Sequence, residues 1–223
     1  RLVGREITKE KRDDLFAATP PLESLKAILH VCASRQRRRH PHRIMSIDVK
    51  RAYFYAPATR PLFIAIPKED WEQGDEVNVA QLNLSLYGTR DAAMNWAKTF
   101  TDFLTEQGFL RGKASPCNSQ HKTQDIAMTV HGGDFTCSAG GADLAWAKRT
   151  MEGKIEIKSE VLGPVRQHAK QIRVLNRVIS WAADGLVYEP DQRHAEIVIR
   201  ERGLEGGKAV NSPGSREEVN QAS

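Results

Sequence analysis

The chain has 223 residues, 40% of them hydrophobic and 27% charged, with a net charge of +5 and a pI near 9.2. That length supports one sizeable core, or one core plus an appendage; no apolar run reaches the roughly 18 residues of a membrane-spanning helix, and no secretory leader opens the sequence. Three widely spaced cysteines, Cys32, Cys117 and Cys137, form no CxxC pair, which argues against a disulfide framework or zinc site and for a reducing, intracellular setting.

Arg1-Leu2-Val3 begins without a methionine in strand-like sequence, as expected of a piece of a longer polypeptide, and Leu2 to Ile7 is expected as a strand. Pro20-Pro21 sits where a helix can begin, and Leu25, Ile28, Leu29 and Cys32 then recur at helical spacing. A dense basic run follows: Arg35, Arg37, Arg38, Arg39, His40, His42 and Arg43. Such a run is either a solvated loop whose first arginines offset the helix C-terminal dipole or a phosphate-contacting surface.

Pro41 breaks the run, and Ile44 to Tyr55 starts as a strand in which Ile44, Met45, Ile47 and Val49 flank Asp48. An acid among core strand residues is costly unless it is paired, solvated or bound to a metal. Asp48 therefore either pairs with Lys50 or Arg51, faces water, or does chemistry. Leu62 to Pro67 and Val77 to Leu82 read as strands around a polar loop at Trp71 to Asp75, and Ser85 to Asp91 as a glycine-containing turn.

From Ala92 an amphipathic helix carries Ala93, Trp96, Ala97, Phe100, Phe103 and Leu104 on one face and ends near Gly108. Its aromatic stripe is most simply core. Phe109 to Pro116 is expected as an extended connection. Ile126 to Cys137 then reads as a hairpin turning at His131-Gly132-Gly133-Asp134, where Asp134 is either a turn former or a functional carboxylate. A second helix is expected over Ala142 to Met151, a strand at Ile155 to Lys158, and a hairpin of Ile172–Trp181 with Leu186–Tyr188 about Asp184-Gly185. Asp191 to Arg202 reads as a helix, and the chain after Gly203 as a linker or frayed tail. Short strands and a few long helices without βαβ alternation point to an α+β fold with an antiparallel sheet.

Taken together, these segments resemble, in order and over nearly the whole chain, the reverse transcriptase of copia-type retrotransposons. Arg1-Leu2-Val3 resembles the family's opening "RLV", and Asp48 to Tyr53 its "DVKTAF". Leu84 to Gly88 resembles "KSLYG", Trp96 to Phe109 "W…F…L…GF", and Lys113 to Cys117 "ADPC". Val130 to Asp134 stands where the family has "YVDD", and Asn211-Ser212-Pro213 where it has "TPM". The "SLYG" and "DVK.A" pieces at this spacing are the specific ones.

The resemblance implies right-hand polymerase fingers and palm, with an antiparallel palm sheet packed on helices and a partial thumb-like C-terminal part. It divides the chain into residues 1–139 (fingers and palm), 140–203 (remaining palm helix, strands and start of thumb or connection) and 204–223 (linker or disordered tail). It implies two-metal nucleotidyl transfer, with two Mg²⁺ ions about 3.5–4 Å apart held by carboxylates. Asp48 and Asp134 would be the catalytic and metal-binding acids. Tyr53 would pack under the sugar and exclude a 2′-hydroxyl, and Gly88 would let the backbone approach the nascent pair. Arg90, Arg1 and Arg5 are candidates for phosphate contact, and Arg37, Arg38 and Arg39 for nucleic acid. The implied partners are an RNA or DNA template with primer, a dNTP, and the remainder of a Pol polyprotein, with no membrane.

The sequence departs from the pattern at the hairpin tip. Gly133 stands where the family has the first of two aspartates, His131 replaces the usual aromatic, and Ala93 replaces a proline. Glycine offers no side-chain ligand, and losing one such carboxylate is expected to slow the reaction on the order of 10³-fold or more. The expectation is a catalytically impaired copy, or a dead nucleic-acid-binding remnant of the same fold.

Overall fold

The structure is a computed structural model and describes residues 3–7, 15, 17–74 and 78–208. The expectations placed on Arg1, Leu2, Val77 and Asn211 to Pro213 lie outside the described residues.

Helix α1 (Leu22–Ser34) starts directly after Pro21 and buries Leu25, Ile28, Leu29 and Cys32, the stripe its spacing announced. Strand β1 (His42–Val49) begins as soon as Pro41 is passed. It stops because Arg51 takes a left-handed conformation (φ 54°), after which Ala52–Tyr55 makes a 3-10 turn. Strands β2 (Phe63–Ala65) and β3 (Val79–Gln81) form a two-stranded ribbon. Helix α2 (Ala92–Glu106) is followed by β4 (Phe109–Arg111), β5 (Asn118–His121), β6 (Ile126–His131) and β7 (Asp134–Gly140). Helix α3 (Gly141–Glu152) leads to β8 (Ile157–Leu162), β9 (Gln171–Val174), β10 (Arg177–Trp181), β11 (Leu186–Pro190) and α4 (Arg193–Glu201).

The main sheet has six strands in the order β4-β5-β6-β7-β1-β8, and each neighbouring pair whose register is defined is antiparallel. The fold is therefore the mixed α+β arrangement expected. Because side chains alternate along a strand, β1 feeds two cores. Met45, Ile47 and Val49 join Met128, Val130, Phe135 and Cys137 under α2 and α3, which contribute Trp96, Leu104, Leu144 and Met151. On the opposite face, Ile44 and Leu162 meet α1 together with Ile172, Val174 and Ile179 of the small β9–β11 sheet. β8 lies beyond residue 140 in sequence yet pairs with β1, so the sheet runs across that position.

Three expectations change. Residues 3–7 form no strand; Gly4 and Glu6 donate their N–H groups to Tyr87 and Gly88 carbonyls at 2.6 and 3.4 Å, and the partner, being a turn, extends the pairing no further. The supposed connection after Phe109 begins with β4, the edge strand of the main sheet. The stretch from Ile172 to Trp181 is two strands, folded back at Leu175 and Asn176, which both take left-handed φ values of 48° and 59°.

Candidate active site

Asp48 is the next-to-last residue of β1, and its side chain belongs to the face away from Ile47 and Val49. Its cross-strand partner on β7 is Asp134, and on β8 it is Lys158. Asp134 in turn faces His131 across the β6–β7 hairpin. The register thus lays His131, Asp134, Asp48 and Lys158 in one row across four strands, with directly opposed Cα atoms about 4.5–5.5 Å apart. Both acids are exposed. Lys50 and Arg51 pair instead with Glu156, so neither neutralises Asp48.

Asp134 opens β7 and does not form the turn, which is made by Gly132 and Gly133. Gly132 has φ 60°, a value that suits a residue without Cβ. The tip is fastened twice. The Trp96 indole N–H donates to the Gly132 carbonyl at 2.8 Å, and the Val49 N–H donates to the Gly133 carbonyl at 2.9 Å. Trp96 is 2% exposed, so the core stripe of α2 also holds the hairpin in place, a role that its spacing did not announce. Gly133 is not in the left-handed region, and a Cβ there would lie 3.3 Å from the Ala52 Cβ, room for a side chain if Ala52 gives a few tenths of an ångström.

The carboxyl of Asp134 is held above its ordinary range, first by loss of surrounding water and then by the negative charge of Asp48, while His131 pulls it back. Although the residue is exposed, this carboxyl lines a cavity of about 320 Å³ that also takes in Pro21, Thr129, Thr136, Val174 and Asn176. Two like charges on adjacent strands repel, and a cation between them removes that cost. Hard oxygen donors facing open solvent fit one divalent ion that keeps part of its water shell. Among the described residues, no group of three or more His, Cys, Asp or Glu side chains assembles that could hold a metal ion, so the pair stands without a third carboxylate.

The other sequence-predicted residues distribute as follows. Tyr53 stacks on Tyr87, with ring centroids 4.3 Å apart, and lines a cavity of about 160 Å³ with Trp96, His131 and Gly132 beside the hairpin tip. Gly88 (φ 90°) permits a close approach, and its neighbour is the backbone of Gly4; a Cβ would lie 1.8 Å from the Gly4 oxygen. Arg90 donates its backbone N–H to Glu6 at 2.9 Å, and Arg5 is exposed on the segment lying along this turn. Arg60 joins Glu6 to the buried Asp91 and fixes the segment to the start of α2. Arg37, Arg38 and Arg39 are exposed just before the far end of β1, whose first residue, His42, stands six residues and so about 20 Å from the carboxylate row at roughly 3.3 Å per residue. Arg35 pairs with Asp125, and this takes up the first arginine of the run. Lys158 went unnoticed in the sequence because only the β1–β8 register reveals it.

Fold and row define a class: a mixed α+β domain that offers an exposed carboxylate pair at one end of an antiparallel sheet, on the face that also packs α1. The chain belongs to the family described as reverse transcriptase (RNA-dependent DNA polymerase), which it matches over residues 3–161. It is also similar to the retrovirus-related Pol polyprotein from transposon TNT 1-94 of Nicotiana tabacum, with 27% identity over 220 residues. That alignment covers 96% of this chain and 16% of the polyprotein, so the chain spans a small part of the relative's length. The copia-type retrotransposon reverse transcriptase legible in the motifs is borne out.

Proposed function

We propose that this chain is the reverse-transcriptase domain of a copia-type retrotransposon Pol polyprotein, and that it performs nucleotidyl transfer on a primer–template only weakly. The observation that supports the reading is the cross-strand pairing of Asp48 with Asp134, next to a glycine that supplies no ligand. In this reading residues 1–139 are fingers and palm, 140–203 the remaining palm and the start of a thumb, and 204–223 a linker, in a protein that works inside the cell. RNA or DNA template, primer and dNTP are its substrates.

Asp48 and Asp134 would hold Mg²⁺ through their carboxylate oxygens. When bound, the metal supplies charge stabilisation for the attacking 3′-hydroxyl and the leaving pyrophosphate. Tyr53, braced by Tyr87, fills the space beneath the sugar and so excludes a 2′-hydroxyl. Gly88 and its turn border the nascent pair, and Arg90 and Arg5, with Arg1, meet the triphosphate. His131 and Lys158 flank the pair and limit its net negative charge.

Mg²⁺-dependent primer extension on an RNA template tests this with the wild-type chain, Asp48→Ala and Gly133→Asp. Gly133→Asp is expected to raise the rate on the order of 10³-fold, the scale of a restored metal ligand. Vigorous wild-type extension that Asp48→Ala abolishes would overturn the impairment. A second reading, a nucleic-acid-binding remnant without activity, is favoured by the absence of a third carboxylate among the described residues. Primer–template binding without extension by either the wild type or Gly133→Asp would select it.

A further inference from the structure

The end of the sheet opposite the carboxylates carries a second charged surface. After α1 stops at Ser34, Arg37, Arg38, Arg39 and His40 are all exposed before β1 begins. Arg43 lays its guanidinium over the ring of Trp181 at 5.6 Å. The loop 163–170 closes on the same spot, because a Cβ on Gly163 would lie 2.6 Å from the Arg43 Cδ and 2.3 Å from the His168 Nδ1. That loop presents Arg166 and Lys170; the Lys170 ammonium donates to the carbonyls of Gly163, Pro164 and Val165 at 2.9, 2.7 and 2.8 Å. A concavity of about 460 Å³ joins Arg37 to Trp181 and to the β10–β11 turn at Asp184 and Gly185.

Among the described residues the acids at this end are fewer than the cations: Asp125 is engaged by Arg35 and His42, Asp143 acts on His42 from the start of α3, and Asp184 lines the concavity. His168 is held below its ordinary range, first by loss of water and then by the charges of Arg43 and Lys170. A crowd of like charges is self-repulsive until a counter-charge arrives.

We propose that this end of the molecule is a second nucleic-acid contact, which grips the phosphate backbone without reading bases and is separate from the carboxylate row. The cations are strung from the 35–40 segment to the 163–170 loop and are not gathered in one pocket, which suits a polyanion with repeating charges. Exposed guanidiniums supply the forked donors that phosphate oxygens accept. Trp181 is capped by Arg43, so it offers that face to a cation and not to a base. The assignment does not depend on whether the carboxylate pair is active.

The test is fluorescence anisotropy of a labelled 20-base-pair DNA duplex titrated with the full chain in EDTA, over a series of salt concentrations. Arg37→Ala/Arg38→Ala/Arg39→Ala is expected to weaken binding roughly 10-fold or more near 0.1 M salt. It should also flatten the slope of log K against log salt by about 2–3, since each lost phosphate contact removes about 0.9. The control Lys98→Ala/Lys148→Ala/Arg149→Ala removes the same charge from α2 and α3 on the other face of the sheet, and should change affinity less than about 2-fold. Equal losses in the two triple variants, or no loss in the first, would overturn the proposal. Binding to phosphatidylserine vesicles that the arginine variant loses while keeping duplex binding would overturn it in favour of a membrane surface. Because EDTA removes divalent metal, failure of primer extension leaves this result standing.

Discussion

Asp134 and Asp48 carry the functional reading and also a folding penalty. The folded-state pKa of Asp134 is raised above its ordinary 3.8, so the native state holds a proton that the unfolded chain has already released. The contribution of Asp134 to stability is therefore greatest below about 3.8, falls as pH rises through the raised native value, and stays lowered above it. Directly opposed like charges on adjacent strands cost roughly 0.2–1 kcal/mol. Asp134→Asn is accordingly expected to melt about 1–3 °C higher than wild type at pH 7 without divalent ions, from roughly 2–4 °C per kcal/mol for a chain this size. The advantage should shrink at pH 3.5, and Mg²⁺ should raise the wild-type melting temperature more than the variant's. Calorimetry at the two pH values reads all three, and a less stable variant at pH 7 would refute the repulsion. How the sequence announced this pair is specific. Asp48 stood out as an acid among Ile44, Met45, Ile47 and Val49, and Asp134 as an acid at a glycine turn. Nothing local joined them; the family's motif order did. Lys158, 110 positions from Asp48 in sequence, had no such motif.

At the scale of elements, helices and hairpins with strong periodicity or glycine turns were legible, and short polar strands were not. β5 reads Asn-Ser-Gln-His, with no apolar alternation, and is a strand because β6 on one side and β4 on the other supply its hydrogen bonds. Leu175 hid a turn, because a leucine at positive φ is strained and signals nothing in sequence. The aromatic stripe of α2 was legible as core but not as the clamp on the hairpin tip. That clamp is testable: Trp96→Phe keeps an aromatic ring but removes the donor to the Gly132 carbonyl. The lost hydrogen bond, about 1 kcal/mol, adds to the smaller buried ring, so urea denaturation is expected to show a destabilisation of about 1–3 kcal/mol with an unchanged m-value. An unchanged midpoint would mean that the Val49 bond to Gly133 is sufficient to hold the tip.

Over the whole molecule, the six-stranded sheet is the shared wall of both cores, so α1, α2, α3 and the β9–β11 sheet should unfold with it as one unit. α4 stands apart. None of its residues is buried, and Ile197, Val198 and Ile199 are 45%, 56% and 42% exposed. Its amphipathic spacing was read correctly as a helix, yet periodicity cannot reveal whether the apolar stripe meets a partner. Burial is what couples an element to global stability, since transfer of apolar surface from water is the dominant favourable term. The substitutions Ile197→Ser, Val198→Ser and Ile199→Ser together are therefore expected to move the global urea midpoint by no more than about 0.5 kcal/mol, even if α4 itself frays. Leu29→Ala, at a 7% exposed position in α1, should cost about 2–5 kcal/mol in the same experiment. Tryptophan fluorescence follows the two cores through Trp96, Trp146 and Trp181, which pack in or against them. A triple-serine chain that loses as much as Leu29→Ala would show that α4 belongs to the cooperative unit; a coincident transition would leave it an appendage to a sheet that folds without it.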